Sequence, residues 1–219
     1  MIIIMLGAQG TGKGTVAGIL NKKNGWIQLS TGDIFRENIS KGTKLGVEAN
    51  KYISKGCLVP DEITISMVEN RLEELKDENG IILDGFPRTL EQAESLDKIL
   101  ASKGKKVDWV INLETPRDEI IERMMNRRVC PKCKATYNLK LHPSKVEGIC
   151  DNCGSELIVR ADDSDEDAIR KRLEIYDTQT KPLFDFYNKK GIVIVEEISE
   201  RINRFADEAC EDFMRRING

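Results

Sequence analysis

The stretch of sequence that decides the fold is IIIMLGAQGTGKGT, residues 2–15. Its first five residues are continuously apolar, which is typical of a strand covered on both faces in a parallel α/β sheet. Residues 7–14 then hold four glycines around Lys13, and residues 15–24 can form a helix. Such a turn lets backbone N–H groups converge on an oxyanion, and the lysine adds a positive charge. The stretch therefore predicts a loop that binds nucleotide phosphates.

The loop departs in one place from the general phosphate-loop pattern. Gly14 stands where a serine or threonine normally follows the lysine, so the hydroxyl that could ligate magnesium comes one residue later, at Thr15. The competing interpretation is a glycine-rich turn with an incidental lysine, which the flanking strand and helix disfavour. The loop alone does not separate GTPase switches, ATPases and kinases.

Further strand-like runs follow along the chain, separated by helix-length segments. They lie at residues 26–29, 81–83, 107–113 and 192–195. This alternation predicts an α/β fold with a parallel sheet wrapped by helices, closed by an amphipathic helix at 198–217. Two stretches interrupt the pattern and are expected to be insertions: residues 30–59, polar and helix-forming, and residues 129–160, with a strand-like piece at 135–141.

Composition limits the classes of partner. The chain has 219 residues, 40% of them hydrophobic, with 34 Lys and Arg against 37 Asp and Glu and a net charge of −3. Because no global positive field exists, nucleic acid and anionic membranes are not expected partners. The apolar start, residues 1–6, is too short for a signal sequence or a membrane span, so we expect neither.

Four of the six cysteines form two close pairs: Cys130 and Cys133, then Cys150 and Cys153. Two Cys-x2-Cys turns separated by sixteen residues fit a tetrahedral zinc site. Because the protein fills all four positions, the metal is expected to be structural. A metal site suggests a reducing compartment more than a disulfide framework does, so we expect the cytoplasm. Two disulfides, idle thiols and a nucleic-acid-binding zinc ribbon are the alternatives, the last disfavoured by the scarcity of aromatic residues near the cysteines.

The remaining thiols and the single histidine carry no predicted chemistry. Cys57 and Cys210 stand apart from the pairs and are interpreted as ordinary thiols. His142 lies between the pairs but outside their turns, so we predict a surface residue rather than a ligand or a base.

A second anion site is indicated by DGFPR, residues 84–88, directly after the apolar run 81–83. Asp84, at the end of a strand beside a phosphate loop, is placed to hold waters around magnesium, although a turn residue is the alternative. Arg88, behind Pro87, offers a planar fork for a second phosphate.

These motifs, taken in order, resemble those of the adenylate kinases. The further segments that carry the resemblance are Ser30–Asp33 with Arg36, Asp84–Thr89 with Gln92, Asn126–Arg128, Arg160–Asp163 and Arg170–Arg172. The resemblance implies the long-lid form: a P-loop three-layer fold with a central parallel sheet, an inserted helical AMP-binding segment and an inserted zinc-bearing lid. The implied divisions are a core of 1–29, 60–126 and 164–219, an AMP-binding insertion at 30–59 and a lid at 127–163.

The resemblance also implies three sets of site residues. Those expected at ATP are Gly10, Thr11, Gly12, Lys13, Gly14, Thr15, Arg123, Arg127, Thr136 and Tyr137. Those expected at AMP are Thr31, Arg36, Cys57, Leu58, Val59, Gly85, Phe86, Pro87, Arg88, Gln92, Arg160 and Arg172. Those expected to act in phosphoryl transfer are Lys13, Asp84, Arg88, Arg127, Arg160 and Arg172. Taken singly, an arginine such as Arg123 could be a solvated charge on a helix surface.

The activity that the resemblance implies is reversible phosphoryl transfer from Mg²⁺-bound ATP to AMP, giving two ADP, by a monomer with a structural Zn²⁺. Two features differ from the family pattern: Gln9 replaces a common proline, and residues 195–199 lack a glycine expected near the adenine of ATP. GTP as the donor therefore stays open as an alternative. A P-loop switch or a nucleic-acid-binding zinc protein is the alternative from a different class.

Overall fold

The computed structural model describes residues 1–75, 80–160, 163, 165–200 and 204–218. Its strands are β1 (Ile2–Leu6), β2 (Ile27–Ser30), β3 (Ile81–Asp84), β4 (Trp109–Glu114), β5 (Arg127–Val129), β6 (Thr136–Asn138) and β7 (Val193–Glu197). Within the described residues, five strands form a parallel sheet in the order β2-β3-β1-β4-β7, and β5 and β6 form an antiparallel hairpin. The predicted α/β fold with a central parallel sheet is confirmed.

Helices connect and cover the strands. They are α1 (Lys13–Asn24), α2 (Thr31–Ser40), α3 (Lys44–Ile53), α4 (Asp61–Glu74), α5 (Leu90–Ser102), α6 (Arg117–Met125), α7 (Glu166–Ile175), α8 (Pro182–Asn188) and α9 (Ala206–Asn218). A π-helical turn, Tyr176–Thr180, joins α7 to α8. None of the described helices is long and apolar enough to cross a membrane.

The central strand β1 is buried along its whole length, which explains its unbroken apolar sequence. Successive side chains of a strand point to opposite faces of a sheet. Accordingly Ile2, Ile4 and Leu6 pack in one core cluster, whereas Ile3 and Met5 pack in a second cluster on the other face. One face is covered mainly by α5 and α8, and the other by α1 and α9.

The sheet positions the candidate site through its strand order. β1 lies between β3 and β4 in the sheet. The chain therefore runs from β1 to β2 and β3 on one side of β1, and from β3 to β4 on the other side. In the register, Met5 lies beside Asp84 and Leu6 beside Asn112, so β1 and β3 end side by side and β4 continues two residues further, to Glu114. Ligands of open α/β sheets bind at this kind of crevice, outside the carboxyl ends of the strands.

Two element predictions differ from the structure. The closing helix begins at Ala206 instead of 198, because Ile198 still donates a backbone hydrogen bond to Glu114 beside the sheet and Ser199 pairs with Arg204. Residues 201–203 of that prediction lie outside the described residues. The strand-like run 135–141 contributes a strand only at Thr136–Asn138, because the Asn138 side chain accepts from the N–H groups of Lys140 and Leu141 and turns the chain.

Candidate active site

The glycine loop between β1 and α1 has the backbone geometry that its sequence predicts. Gly7, Gly10 and Gly12 all have positive φ, at 131°, 82° and 92°, where other residues are strained. A Cβ atom on Gly7 would lie 2.5 Å from the carbonyl oxygen of Leu113, closer than any real contact. The loop therefore requires glycine at this close approach to the neighbouring strand.

Lys13 opens α1 and folds back over this loop. Its Nζ donates to the carbonyl oxygens of Gly7 at 2.8 Å and Ala8 at 2.6 Å. Burial lowers the pKa of Lys13 to about 8, against the opposing attraction of the Asp84 carboxylate. A buried cation held by two carbonyl oxygens is available to an incoming anion, which would satisfy it better.

Asp84 ends β3 beside the start of α1. Its Oδ2 accepts from Gln28 Nε2 at 3.2 Å, and a Cβ atom on Gly14 would lie 3.7 Å from the same oxygen. The carboxylate thus lies next to the loop and to Lys13, where oxygen ligands could orient the water shell of a divalent cation.

One cavity connects the loop to the rest of the predicted site. Its lining includes Gly7, Gln9 and Lys13 from the loop, Thr31, Phe35, Arg36, Cys57, Leu58 and Val59 from the first insertion, Gly85, Pro87, Arg88 and Gln92 after β3, and Arg160, Arg172, Tyr176 and Thr180 after the hairpin. The structure therefore brings together, in one space, most of the residues predicted at the second phosphate.

Arg88 and Arg36 supply the positive charge in the middle of this cavity. Arg88 Nε donates to the carbonyl oxygen of Gly85 at 2.9 Å, and Arg36 Nη2 lies 2.6 Å from Asp33 Oδ1. Gly85 has φ of 78°, and a Cβ atom there would lie 2.9 Å from Thr31 Oγ1 and 3.0 Å from Arg88 Nη2. Burial lowers the pKa of Arg88 to about 10, so its guanidinium stays charged at neutral pH.

Asp163 gathers three arginines, of which Arg160 and Arg172 line the cavity. Its side chain is fully buried and accepts from Arg127 Nε at 2.7 Å and Arg172 Nη1 at 2.9 Å, with Arg160 Nε 3.9 Å away. Burial lowers the pKa of Arg127 to about 10. The sequence placed Asp163 in a motif without giving it a role; the structure makes it the centre of the arginine cluster. Ala161 and Asp162 of that motif lie outside the described residues.

Other residues predicted at ATP do not line this cavity. Arg123 is 9% exposed and pairs with Glu119 at 3.4 Å and Glu200 at 3.3 Å. Thr136 is exposed on β6, and the Tyr137 hydroxyl lies 3.5 Å from Cys150 Sγ. The loop residues Gly10, Thr11, Gly12, Gly14 and Thr15 are likewise absent from the lining. Their roles at ATP stay predictions.

Phe86 is also placed away from the cavity. Its side chain is fully buried in the core beneath the sheet, although its neighbours Gly85 and Pro87 line the cavity. Its predicted role at AMP stays a prediction.

The four paired cysteines converge as their spacing predicts. Their sulfurs all lie within 4.8 Å of one another, with Cys130 Sγ 3.3 Å from Cys153 Sγ and Cys133 Sγ 3.4 Å from Cys150 Sγ. Four Zn–S bonds of about 2.3 Å in a tetrahedron separate sulfurs by about 3.8 Å, whereas a disulfide needs about 2.05 Å. The donor set and its spacing fit a tetrahedral thiophilic metal. His142 lies outside this set and is exposed, as predicted for a surface residue.

Comparison with known proteins agrees with this geometry. The family model for adenylate kinase matches residues 5–192. An adenylate kinase of Caldicellulosiruptor saccharolyticus is 49% identical over 92% of this chain and 94% of its own length. Those of Caldanaerobacter subterraneus subsp. tengcongensis and Clostridium perfringens strain SM101 are 47% and 46% identical, over 100% and 96% of this chain and 97% of their own lengths. The chain therefore belongs to the adenylate kinase family.

Proposed function

We propose that this protein transfers a phosphoryl group reversibly between Mg²⁺-bound ATP and AMP, giving two ADP. Family membership makes the chain a nucleoside monophosphate kinase, a class of transferase. The observation that carries the assignment is the single cavity in which Lys13 of the glycine loop faces Arg36 and Arg88. A GTPase switch needs one phosphate-binding centre, whereas a phosphotransferase between nucleotides needs two.

Phosphoryl transfer requires alignment and neutralised charge more than covalent help from the protein. The phosphate of AMP is itself a nucleophile, so no general base is needed. Lys13 would hold the β and γ phosphates of the donor, and Arg36 and Arg88 the phosphate of the acceptor. Arg127, Arg160 and Arg172, oriented by Asp163, would neutralise charge on the transferring group.

Water exclusion is the proposed purpose of the two insertions. The electrostatic environment of Asp33 supports this proposal because it includes residues from both sides of the cavity. Burial acts to raise the pKa of Asp33, but Arg36, the Ser30 hydroxyl and Arg160 together hold it below its usual value. Arg160, which follows the β5–β6 hairpin, therefore acts electrostatically on a residue of α2, and residues of both insertions line the same cavity.

Two metals belong to this proposal. Asp84 would orient the water shell of Mg²⁺ and Thr15 would supply a hydroxyl; the ion would offset the negative charge of the donor phosphates. Zn²⁺ would be held by Cys130, Cys133, Cys150 and Cys153. The convergence of their four sulfurs supports this proposal. With all four ligands from the protein, the zinc is structural.

The finer organisation is also proposed. The segment 30–59 is the acceptor insertion, 127–163 is the lid, and 1–29, 60–126 and 164–219 form the core; the helices α2 and α3 and the β5–β6 hairpin support these divisions. We further propose a cytoplasmic monomer that binds no nucleic acid, in keeping with reduced cysteine pairs and a net charge of −3.

The decisive experiment supplies the protein with Mg²⁺ and ADP alone. The expected products are ATP and AMP in equal amounts, with no inorganic phosphate. A switch protein would instead release inorganic phosphate from GTP or ATP. Repeating the forward reaction with AMP and either ATP or GTP determines the donor; equal kcat/KM for the two would show that the altered segment 195–199 does not select adenine.

A further inference from the structure

Gln92 lines the cavity together with the apolar residues Phe35, Leu58 and Val59, which we call the acceptor slot and which could contact a flat base. Its side chain is 2% exposed and both ends of its amide are bonded to the protein. Nε2 donates to Asp61 Oδ1 at 2.6 Å, and Oε1 accepts from the backbone N–H of Arg88 at 2.7 Å.

Asp61 and the backbone N–H of Arg88 fix the orientation of the Gln92 amide. An ionised carboxylate only accepts hydrogen bonds, so the atom facing Asp61 must be the nitrogen; a backbone N–H only donates, so the atom facing Arg88 must be the oxygen. Asp61 is itself held, because its Oδ2 accepts from Thr89 Oγ1 at 2.7 Å. An amide nitrogen carries two hydrogens and its oxygen two lone pairs, so each atom keeps one further bond for a ligand.

The order of hydrogen-bond donor and acceptor at position 6 and N1 of the base distinguishes adenine from the 6-oxopurines. Adenine presents an amino donor at position 6 beside an acceptor at N1, whereas hypoxanthine and guanine present an acceptor at O6 beside a donor at N1. A base held in one pose by the slot can match a fixed amide in only one of these two orders. The other order places donor against donor and acceptor against acceptor, leaving buried polar groups unpaired.

We propose that Asp61 is a specificity-determining positioning residue, which selects adenine over 6-oxopurines in the acceptor by fixing the orientation of the Gln92 amide. Asp61 acts through Gln92 and need not touch the substrate. The inference rests on the proposed function, because it concerns the acceptor slot of the same reaction.

The first test is Asp61→Asn, assayed with AMP and with IMP, which differs from AMP only at the edge in question. Asparagine keeps the shape but replaces a charged acceptor, so the nitrogen of Gln92 is held less firmly. We expect the ratio of kcat/KM for AMP to that for IMP to fall by about tenfold, mainly through KM for AMP. The matched control is Glu62→Gln, which removes the same charge from the neighbouring, exposed residue of α4.

The second test is the double variant Asp61→Asn, Gln92→Glu. It exchanges the carboxylate and the amide between the two positions and conserves net charge. The amide introduced at position 61 then donates to the carboxylate introduced at position 92. Because both oxygens of that carboxylate can only accept, each purine finds one matched and one mismatched contact: N6–H and N1 in adenine, N1–H and O6 in hypoxanthine. We expect this double variant to lose the preference for AMP over IMP.

The results separate the inference from the proposed function. An AMP to IMP ratio within twofold of the wild type in Asp61→Asn, with the double variant still preferring AMP, overturns the role of Asp61. An equal fall of the AMP to IMP ratio in Glu62→Gln also overturns the role of Asp61, because the loss of one negative charge in α4 would then explain the effect. Failure of the wild-type protein to phosphorylate any nucleoside monophosphate would instead overturn the proposed function.

Discussion

Replacement of Asp163 by asparagine tests whether one buried carboxylate organises the arginine cluster. The wild-type carboxylate is fully buried and accepts charge-assisted bonds of 2.7 Å from Arg127 and 2.9 Å from Arg172. Each such bond contributes roughly 1.5–3 kcal/mol, and removal of one partner from a buried ion pair costs about 3–5 kcal/mol. Because asparagine keeps one acceptor oxygen, we expect the free energy of unfolding to fall by about 3 kcal/mol, at the lower end of that range.

For a chain of this size, 1 kcal/mol shifts Tm by about 2–4 °C, so Asp163→Asn should melt about 6–12 °C below the wild type. The same change should lower kcat by roughly tenfold to a hundredfold, because arginines that are no longer aligned stabilise the transferring group poorly. Calorimetry and initial rates of ADP formation measure the two effects.

A matched control is available at the surface. Asp177 pairs with Arg117 at 2.7 Å, but the two side chains are 41% and 52% exposed. Exposed ion pairs contribute about 0–1 kcal/mol, so Asp177→Asn should melt within about 4 °C of the wild type and keep its kcat. If Asp163→Asn has the same Tm as the Asp177→Asn control and retains full kcat, Asp163 does not organise the arginines and the mechanism must be revised.

Three further outcomes follow from the site. Lys13→Met should lower kcat/KM for ATP by at least about a thousandfold while Tm stays equal or rises, because the variant removes a charge whose burial is unfavourable; a lowered Tm with normal rates would contradict this. The wild-type kcat/KM for ATP should fall as pH rises through about 8, where free Lys13 loses its proton, and Lys13→Met should lack that limb. Cys130→Ser should lower zinc content and Tm, whereas Cys210→Ser, at a buried cysteine outside the cluster, should leave the zinc content unchanged; equal zinc loss in both variants would argue against the four-cysteine site.

The sequence could predict those parts of the protein that depend on neighbouring residues. An unbroken apolar run indicates a buried strand, and glycines around Lys13 directly after it indicate a phosphate loop, because each depends on local backbone freedom and periodicity. The convergence of the cysteines within each pair could be predicted for the same reason, because each Cys-x2-Cys turn brings two sulfurs together. The family resemblance then ordered these local features into one activity.

Only the tertiary structure decided which side chains are paired with one another. Asp163 meets Arg127 across 36 residues of chain, and Asp61 meets Gln92 across 31. Arg123, whose role at ATP stays a prediction, is buried against Glu119 and Glu200, the second of them 77 residues away. Neither spacing nor propensity encodes such contacts, because they arise when separate helices and strands pack on the sheet; the orientation of an amide or a guanidinium is set by whichever partner that packing brings within bonding distance.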